Sequence, residues 1–310
     1  MHVCSSAVFC FSLLSKGVFS SSNYKRENRL LVLQTLLDNG LSDLLHEYWD
    51  ATIAEFELRK KDVEPGLSTG QLWNVYASSH THIVVSLNNI YQIMIVFWNG
   101  SDLEVKETLK TIYDSTADFI LQGLNGCLYP VEVDSKHAQF KIIRSFLGTL
   151  HNFCYKYAIC VPDLRLKDAL RIVSRYRNAG TSAIKTKTIL VSSYLLTEMD
   201  SSSKAVVELE QSDINFLIKV LQDALRSTNE MSRTYGYHAE ELICGLDNIA
   251  VVDSNKRLLV QAGVLPLYVT AMHKNNPELQ QRAARAIWTL AFDDENLQKI
   301  KAQQDCMNSE

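Results

Sequence analysis

The chain has 310 residues, of which 46% are hydrophobic and 21% charged, and its formal net charge at pH 7 is −4. Its 12 Gly and 5 Pro are too few for a turn-rich β architecture, so the composition favours helices around a substantial apolar core. A net charge this small excludes long-range attraction of the whole chain to nucleic acid or to an anionic membrane, and we expect neither as a partner.

The first 22 residues share one feature with a secretory signal peptide and lack another. The apolar run Ala7 to Leu14 precedes three serines, but the first lysine, Lys16, follows the run instead of preceding it. We predict a poorly packed or targeting-like segment at 1–22, a helical repeat domain at 23–302 and a polar tail at 303–310. The seven cysteines are dispersed and form no Cys-x-x-Cys pair, which is typical of a reduced, cytoplasmic chain.

Two apolar stripes indicate helices in the middle of the chain. The spacing i, i+4, i+7, i+8 marks one face of a helix with 3.6 residues per turn. Two sets of residues follow it: Leu87, Tyr91, Met94 and Ile95, and then Phe146, Leu150, Phe153 and Cys154. The first set lies in the run 83–98, which polar residues interrupt and which is too short to cross a membrane. We therefore expect two buried helices.

A basic segment follows between residues 165 and 187. It contains seven Lys or Arg residues and a single acid, Asp168. On one continuous helix, Lys167, Arg171 and Arg175 would be four residues apart and would line one face. Such a face binds an acidic protein segment or the phosphates of a nucleotide, or it is a solvated helix surface.

The clearest internal repeat lies near the C-terminus, at a shift of 41 positions. LDNIAVVDSNKRLL, beginning at Leu246, aligns with IWTLAFDDENLQKI, beginning at Ile287. The helix that leads into each copy carries the same apolar stripe: Leu242, Leu246, Ile249 and Ala250, and then Ala283, Ile287, Leu290 and Ala291. A period near 40 is typical of helical units that are too small to bury their own apolar faces and therefore stack on their neighbours.

Gly, Pro and Asn mark the helix boundaries of one such unit. Gly263 permits a sharp corner between two helices, and Pro266 fits the first turn of the second one. Asn276-Pro277-Glu278 is a typical start for the next helix.

These residues resemble the armadillo repeat, whose unit is a short first helix, a second helix after Gly, and a long third helix with a Leu-x-Asn-Leu-Ala-like ending. The match is best from Asn255 to Ile300, and similar endings occur at Leu246–Ala250 and Leu150–Cys154. The resemblance implies an all-α fold, a right-handed armadillo-like α-solenoid of about five or six units.

The resemblance also implies a peptide-binding surface on the third helices. In peptide-binding armadillo proteins, third-helix Asn residues hydrogen-bond the backbone of an extended ligand, and Asn152 and Asn248 match that position. Thr289 stands there in the last unit, so the ladder is irregular. The Trp that usually stands four residues earlier is also replaced, by Gly148, Cys244 and Arg285.

The stretch Gly236 to Phe292 is similar, in addition, to the armadillo segments that precede TIR domains in some animal signalling proteins. This second resemblance implies an alternative function, a regulatory module in which the basic segment senses a nucleotide.

The common catalytic motifs are absent from the sequence, including phosphate-binding loops, dinucleotide fingerprints, metalloprotease helices and nucleophile elbows. His80 and His82 lack a nearby Cys or carboxylate that would complete a metal site, and Cys154 lies on an apolar stripe. We predict no catalytic residue, no metal and no cofactor. The alternative is an enzyme of unrecognised type, which would need a pocket with converging titratable groups.

The predicted function is a non-catalytic scaffold or adaptor that binds a protein partner on the concave surface of the stacked units. The candidate contact residues are Asn152, Asn248, Lys167, Arg171 and Arg175.

Overall fold

The computed structural model describes residues 103–126, 140–156, 158–179, 181–196 and 210–307, together with the single positions 35, 39, 47 and 54. In these residues the regular structure is helical, apart from one isolated bridge between Met231 and His238. The all-α prediction is therefore confirmed for this part of the chain. The chain divides into two compact units, Met1–Val191 and Ser192–Glu310.

The described part of the first unit consists of helices and one 3-10 turn. They are α1 Leu103–Gly126, α2 Phe140–Lys156, a 3-10 turn at Ala158–Cys160, α3 Val161–Leu166, α4 Ala169–Ser174 and α5 Ser182–Leu195, whose last residues belong to the second unit. Helix α1 packs against α2 and α4, and α2 packs against the 3-10 turn.

The apolar stripe predicted in α2 forms the centre of this packing. Its members are all buried: Phe146, Leu150, Phe153 and Cys154. The edge of the Tyr113 ring contacts Phe153, with ring centroids 5.2 Å apart. The buried Tyr176 hydroxyl donates a hydrogen bond of 2.5 Å to the Leu124 carbonyl oxygen and so fixes the end of α1. The predicted helix is confirmed.

The second unit contains the repeat. Its further helices are α6 Gln211–Arg226, α7 Ala239–Ile249, α8 Asp253–Gln261, α9 Val264–Met272, α10 Pro277–Leu290 and α11 Asp294–Met307. Helix α11 extends into the segment predicted as a polar tail. Helix α7 packs against α10, α6 against α9, and α8 against α9 and α11. Two pairs of equivalent helices about 41 residues apart are thus in contact, α7 with α10 and α8 with α11.

The predicted helix boundaries of this unit are confirmed. Gly263 separates α8 from α9 with φ +84°, a left-handed backbone that residues with a Cβ adopt only at a cost. Asn276 caps α10, because its side-chain oxygen accepts a hydrogen bond of 3.2 Å from the Leu279 backbone N–H, and Pro277 occupies the first helical position.

The two copies of the stripe differ in burial at two of their four positions. Ile249 and Leu290 are both fully enclosed. Leu246 and Ala250 are also buried. Their equivalents Ile287 and Ala291 are partly exposed. Helix α10 packs against α7, but among the described residues no third helix covers α10 in the same way. The stacking of apolar faces that the repeat predicts is therefore present between these two third helices.

Several predictions fall outside the described residues. These are the stripe at 87–95, the histidines at 80 and 82, and the segment at 1–22. The number of units and the bounds of the repeat domain accordingly stay predictions.

Candidate functional site

Two aromatic residues are exposed at the C-terminal end of α10. The helix buries Leu279, Ala286 and Leu290 on one side. At 3.6 residues per turn, Trp288 projects from the opposite side, and Phe292 lies in the turn just after the helix. Each is 65% exposed, although large aromatic side chains usually pack inside proteins.

Trp288 and Phe292 contact each other. Their ring centroids are 4.6 Å apart and their planes are inclined by 80°, an edge-to-face arrangement that aromatic rings prefer. Val251, which follows the end of α7, is equivalent to Phe292 at the 41-residue shift and is also exposed. Single exposed apolar residues are ordinary, but two large aromatic rings in mutual contact form an apolar patch that a partner can cover.

A charged pair links α10 to α7 one turn before this apolar surface. Arg285 Nε lies 3.1 Å from Asp247 Oδ2; the Arg285 side chain is 73% exposed and the Asp247 side chain only 9%. The other carboxylate oxygen, Oδ1, is enclosed without a hydrogen-bond donor among the described residues. Arg285 therefore neutralises a buried acid and holds the two third helices together.

A second charged pair fixes the backbone just beyond Phe292. Arg257 Nε donates to Asp293 Oδ2 over 2.8 Å, and Asp293 Oδ1 accepts the Asn296 backbone N–H over 3.0 Å. The hydrogen bond from Arg257, followed by that from Asn296, lowers the pKa of the Asp293 carboxyl below its ordinary value. The turn that carries Phe292 is thus held from both sides.

The predicted Asn positions have different environments. Asn248 is partly exposed near the end of α7, where a ligand on the third helices could reach it. Its equivalent, Thr289, donates a hydrogen bond of 3.2 Å to the Arg285 carbonyl oxygen. Asn152 is only 5% exposed, so its side chain is enclosed by the protein. Asn152 belongs to the first unit and Asn248 to the second.

The prediction that Lys167, Arg171 and Arg175 line one continuous helix is wrong. Helix α3 ends at Leu166 and α4 begins at Ala169, because Asp168 between them has a left-handed backbone with φ 59°. Lys167 occupies the turn and Arg175 follows the end of α4.

These cations contact residues of the same unit. Lys167 Nζ lies 2.8 Å from Asp118 Oδ1 on α1, and Arg175 Nη1 donates over 2.7 Å to the Asn125 carbonyl oxygen. Arg171 pairs with Asp168. The hydrogen bond that Lys167 donates to Asp118 raises the pKa of Lys167. Two of the three side chains thus fasten α1 to the turn around α4.

Two titratable side chains of the first unit, His151 and Cys154, are buried in its core. Burial, with help from Lys187, lowers the pKa of His151 to about 3, so the ring is neutral at pH 7. The Cys154 thiol lies beside that of Cys160, and their hydrogen bond together with burial raises its pKa. Cys154 is a buried thiol rather than a reactive thiolate, in agreement with its place on the apolar stripe.

Within the described segments, no cluster of three His, Cys, Asp or Glu side chains is arranged to bind a metal ion. The same segments contain no helix that is long and apolar enough to span a membrane.

The comparisons with known proteins bear on the second unit. Residues 253–292 match the family described as Armadillo/beta-catenin-like repeat. The chain contains an armadillo repeat. The matched range begins at the first residue of α8 and ends just after α10, so it coincides with one unit of three helices. The sequence resemblance is confirmed for this range.

Two solved structures of engineered proteins are also similar to the chain. One is 14% identical, with coverage of 73% of this chain and 92% of its own and a TM-score of 0.36. The other is 12% identical; the match covers 94% of this chain and 77% of the engineered protein, with a TM-score of 0.40. No curated protein matches the chain.

Sequence reasoning missed the aromatic pair of the armadillo repeat. It used Ile287, Leu290 and Ala291 to define the apolar stripe and left Trp288 and Phe292 aside. The signal was present, because two aromatic residues four positions apart and off the buried stripe must share the outer side of a helix. Armadillo repeats generally mediate protein–protein interaction, so this outer side is the candidate functional site.

Proposed function

We propose that this chain is a non-catalytic scaffold or adaptor that binds a protein partner on the outer side of its third helices. The observation that carries the proposal is the pair Trp288 and Phe292, which is in mutual contact and largely exposed on the armadillo repeat. Aromatic residues dominate binding energy at protein interfaces, because they bury a large area and lose little conformational entropy.

The surroundings of the pair support this function. Arg285 and Asp247 tie α10 to α7, and Arg257 and Asp293 fix the turn beyond Phe292. A surface held in place before binding loses less entropy when a partner docks. Asn248, partly exposed on the neighbouring third helix, is a further proposed contact.

The basic segment is a weaker candidate for partner binding. Lys167 and Arg175 already bind polar atoms of α1, so their charges stabilise the packing of the first unit. Arg171, whose side chain is 63% exposed, is the member of this group that we propose as an accessory contact for an acidic partner segment.

The test is quantitative affinity purification of the tagged full-length chain from its native cells. Three forms are compared: the unmodified chain, Trp288→Ser with Phe292→Ser, and the control Ile159→Ser with Leu166→Ser. The control removes two large apolar side chains of the first unit that are 73% and 87% exposed. Circular dichroism first establishes that all three forms are folded.

We expect the Trp288 and Phe292 variant to lose its specifically bound protein at least tenfold, while the control retains it, because only the former removes the proposed contact. Equal retention by both variants, or loss in the control alone, would show that this surface is not where the partner binds.

A further inference from the structure

The Arg285 guanidinium offers an unused hydrogen-bonding edge beside the aromatic pair. Its Nε faces Asp247, so the contact to the buried acid uses the inner side of the group. Among the described residues, no hydrogen bond or ion pair engages Nη1 or Nη2. Two parallel N–H groups at that edge match the two oxygens of a carboxylate, which guanidinium binds in a bidentate manner.

Arg285, Trp288 and Phe292 follow one another in a row. Arg285 and Trp288 are three residues apart on α10, about 4.5 Å along the helix axis at 1.5 Å per residue, and Phe292 lies in the turn after the helix with its ring centroid 4.6 Å from that of Trp288. An extended peptide advances about 3.3 Å per residue, so one to three residues separate a group on Arg285 from one on the aromatic pair. A ligand that places an apolar side chain on the aromatic pair therefore has room for a carboxylate on Arg285 within the same short segment.

The charges around the row disfavour two other kinds of ligand. A basic peptide would meet Arg285 directly, and the nearest acid, Asp247, is buried and already paired. A nucleic acid would place phosphates along the whole row, yet Asp294 and Glu295 are exposed immediately beyond Phe292 and would repel them. A ligand whose negative charge lies at the Arg285 end, away from Asp294 and Glu295, fits this arrangement.

We propose that the partner contributes a short acidic–apolar segment, in which an Asp or Glu binds Arg285 and an aromatic or large aliphatic residue about one to three positions away packs on Trp288 and Phe292. This inference rests on the proposed function and specifies the chemistry of the ligand at the same surface. Asp247 acts as a positioning residue, since it orients the guanidinium so that its Nη edge faces outward.

A random peptide library displayed on phage tests the proposal without knowledge of the natural partner. The library is selected on the full-length chain and counter-selected on the Trp288→Ser, Phe292→Ser variant. The expected consensus contains an acid within about three residues of a large apolar residue. A consensus without an acid, a basic consensus, or no enrichment over the counter-selected form overturns the inference.

A synthetic peptide from the selection then isolates the role of Arg285. Arg285→Gln is expected to weaken binding about tenfold, and changing the acid of the peptide to its amide should cause a similar loss, with no further loss when both changes are combined. The variant Asp247→Asn with Arg285→Gln provides the control, because it leaves no unpaired buried carboxylate. Full affinity in either Arg285 variant contradicts the proposal.

The outcomes separate this inference from the proposed function. If the native partner depends on Trp288 and Phe292 but the selected peptides carry no acid, only the acidic chemistry is wrong. If the native partner binds equally well without Trp288 and Phe292, the proposed function itself is wrong. A concentration-dependent dimer that Trp288→Ser abolishes would instead assign the surface to a second copy of this chain.

Discussion

Leu246 and Ile287 occupy equivalent positions of two successive third helices, yet their environments differ. Leu246 is completely buried where α7 packs against α10, and Ile287 is partly exposed on α10. Replacing each by Ala removes the same number of carbon atoms. The two variants are therefore a matched pair that measures how much the contact between neighbouring third helices stabilises the unit.

The magnitude follows from the burial. Leu246→Ala deletes about three buried carbon groups, worth about 2 kcal/mol in transfer free energy, and leaves a cavity that adds a further 1–2 kcal/mol or so. We expect it to lower the free energy of unfolding by about 3–4 kcal/mol. Ile287→Ala removes atoms that already contact water and opens no enclosed cavity, so we expect about 1 kcal/mol.

Urea unfolding of the full-length chain, followed by circular dichroism, measures both losses. Hydrogen exchange of the α7 and α10 amides locates the destabilised region, which should be confined to the second unit. Equal losses for the two variants, or a larger loss for Ile287→Ala, would refute the assignment of α7 and α10 as stacked third helices.

Three other predictions concern single side chains. The pKa of His151 lies near 3 in the folded chain and near 6.5 in the unfolded chain, so the unfolded chain binds more protons between these two pH values. The free energy of unfolding should therefore fall as the pH drops below 6.5, by about 1.4 kcal/mol per pH unit. Urea titrations at pH 7, 6 and 5 measure this slope, and His151→Gln should remove it. Gly263→Ala should lower the free energy of unfolding by about 1–2 kcal/mol through backbone strain alone, because the added Cβ contacts nothing within 4 Å. Gly263→Asn should lower it by less, since Asn adopts the left-handed conformation more readily than Ala. Thermal unfolding measures both, and equal losses would contradict this reasoning. Asn276→Asp should destabilise the chain although Asp is normally a good N-cap, because Asn276 Nδ2 donates to Glu230 and Glu240; an unchanged unfolding midpoint would count against these contacts.

Local chemistry explains which parts of the fold the sequence could predict. The repeat shift placed Leu246 and Leu290 in the core, since a helical apolar stripe must be covered by a neighbour. Gly263 and Asn276 marked helix ends because backbone geometry and capping depend on a few adjacent residues. These features need no knowledge of distant contacts.

The parts that failed or were missed depend on tertiary contacts. Periodicity alone made Lys167, Arg171 and Arg175 one helix face, but the left-handed Asp168 ends α3 before α4 begins, and α1 then supplies partners for two of the cations. Trp288 was overlooked because apolar residues were assigned to the core by default. Whether a third-helix residue is buried or exposed depends on which helices pack around it.

The central claim, that a protein partner contacts the outer side of α10, is tested most directly by site-specific photocrosslinking in native cells. Phe292 is replaced by a photoreactive phenylalanine analogue, and Leu166, exposed on the first unit, is replaced in a parallel form. We expect a covalent adduct with one protein from position 292 and none from position 166. An adduct from position 166 alone, or none from position 292, would contradict it.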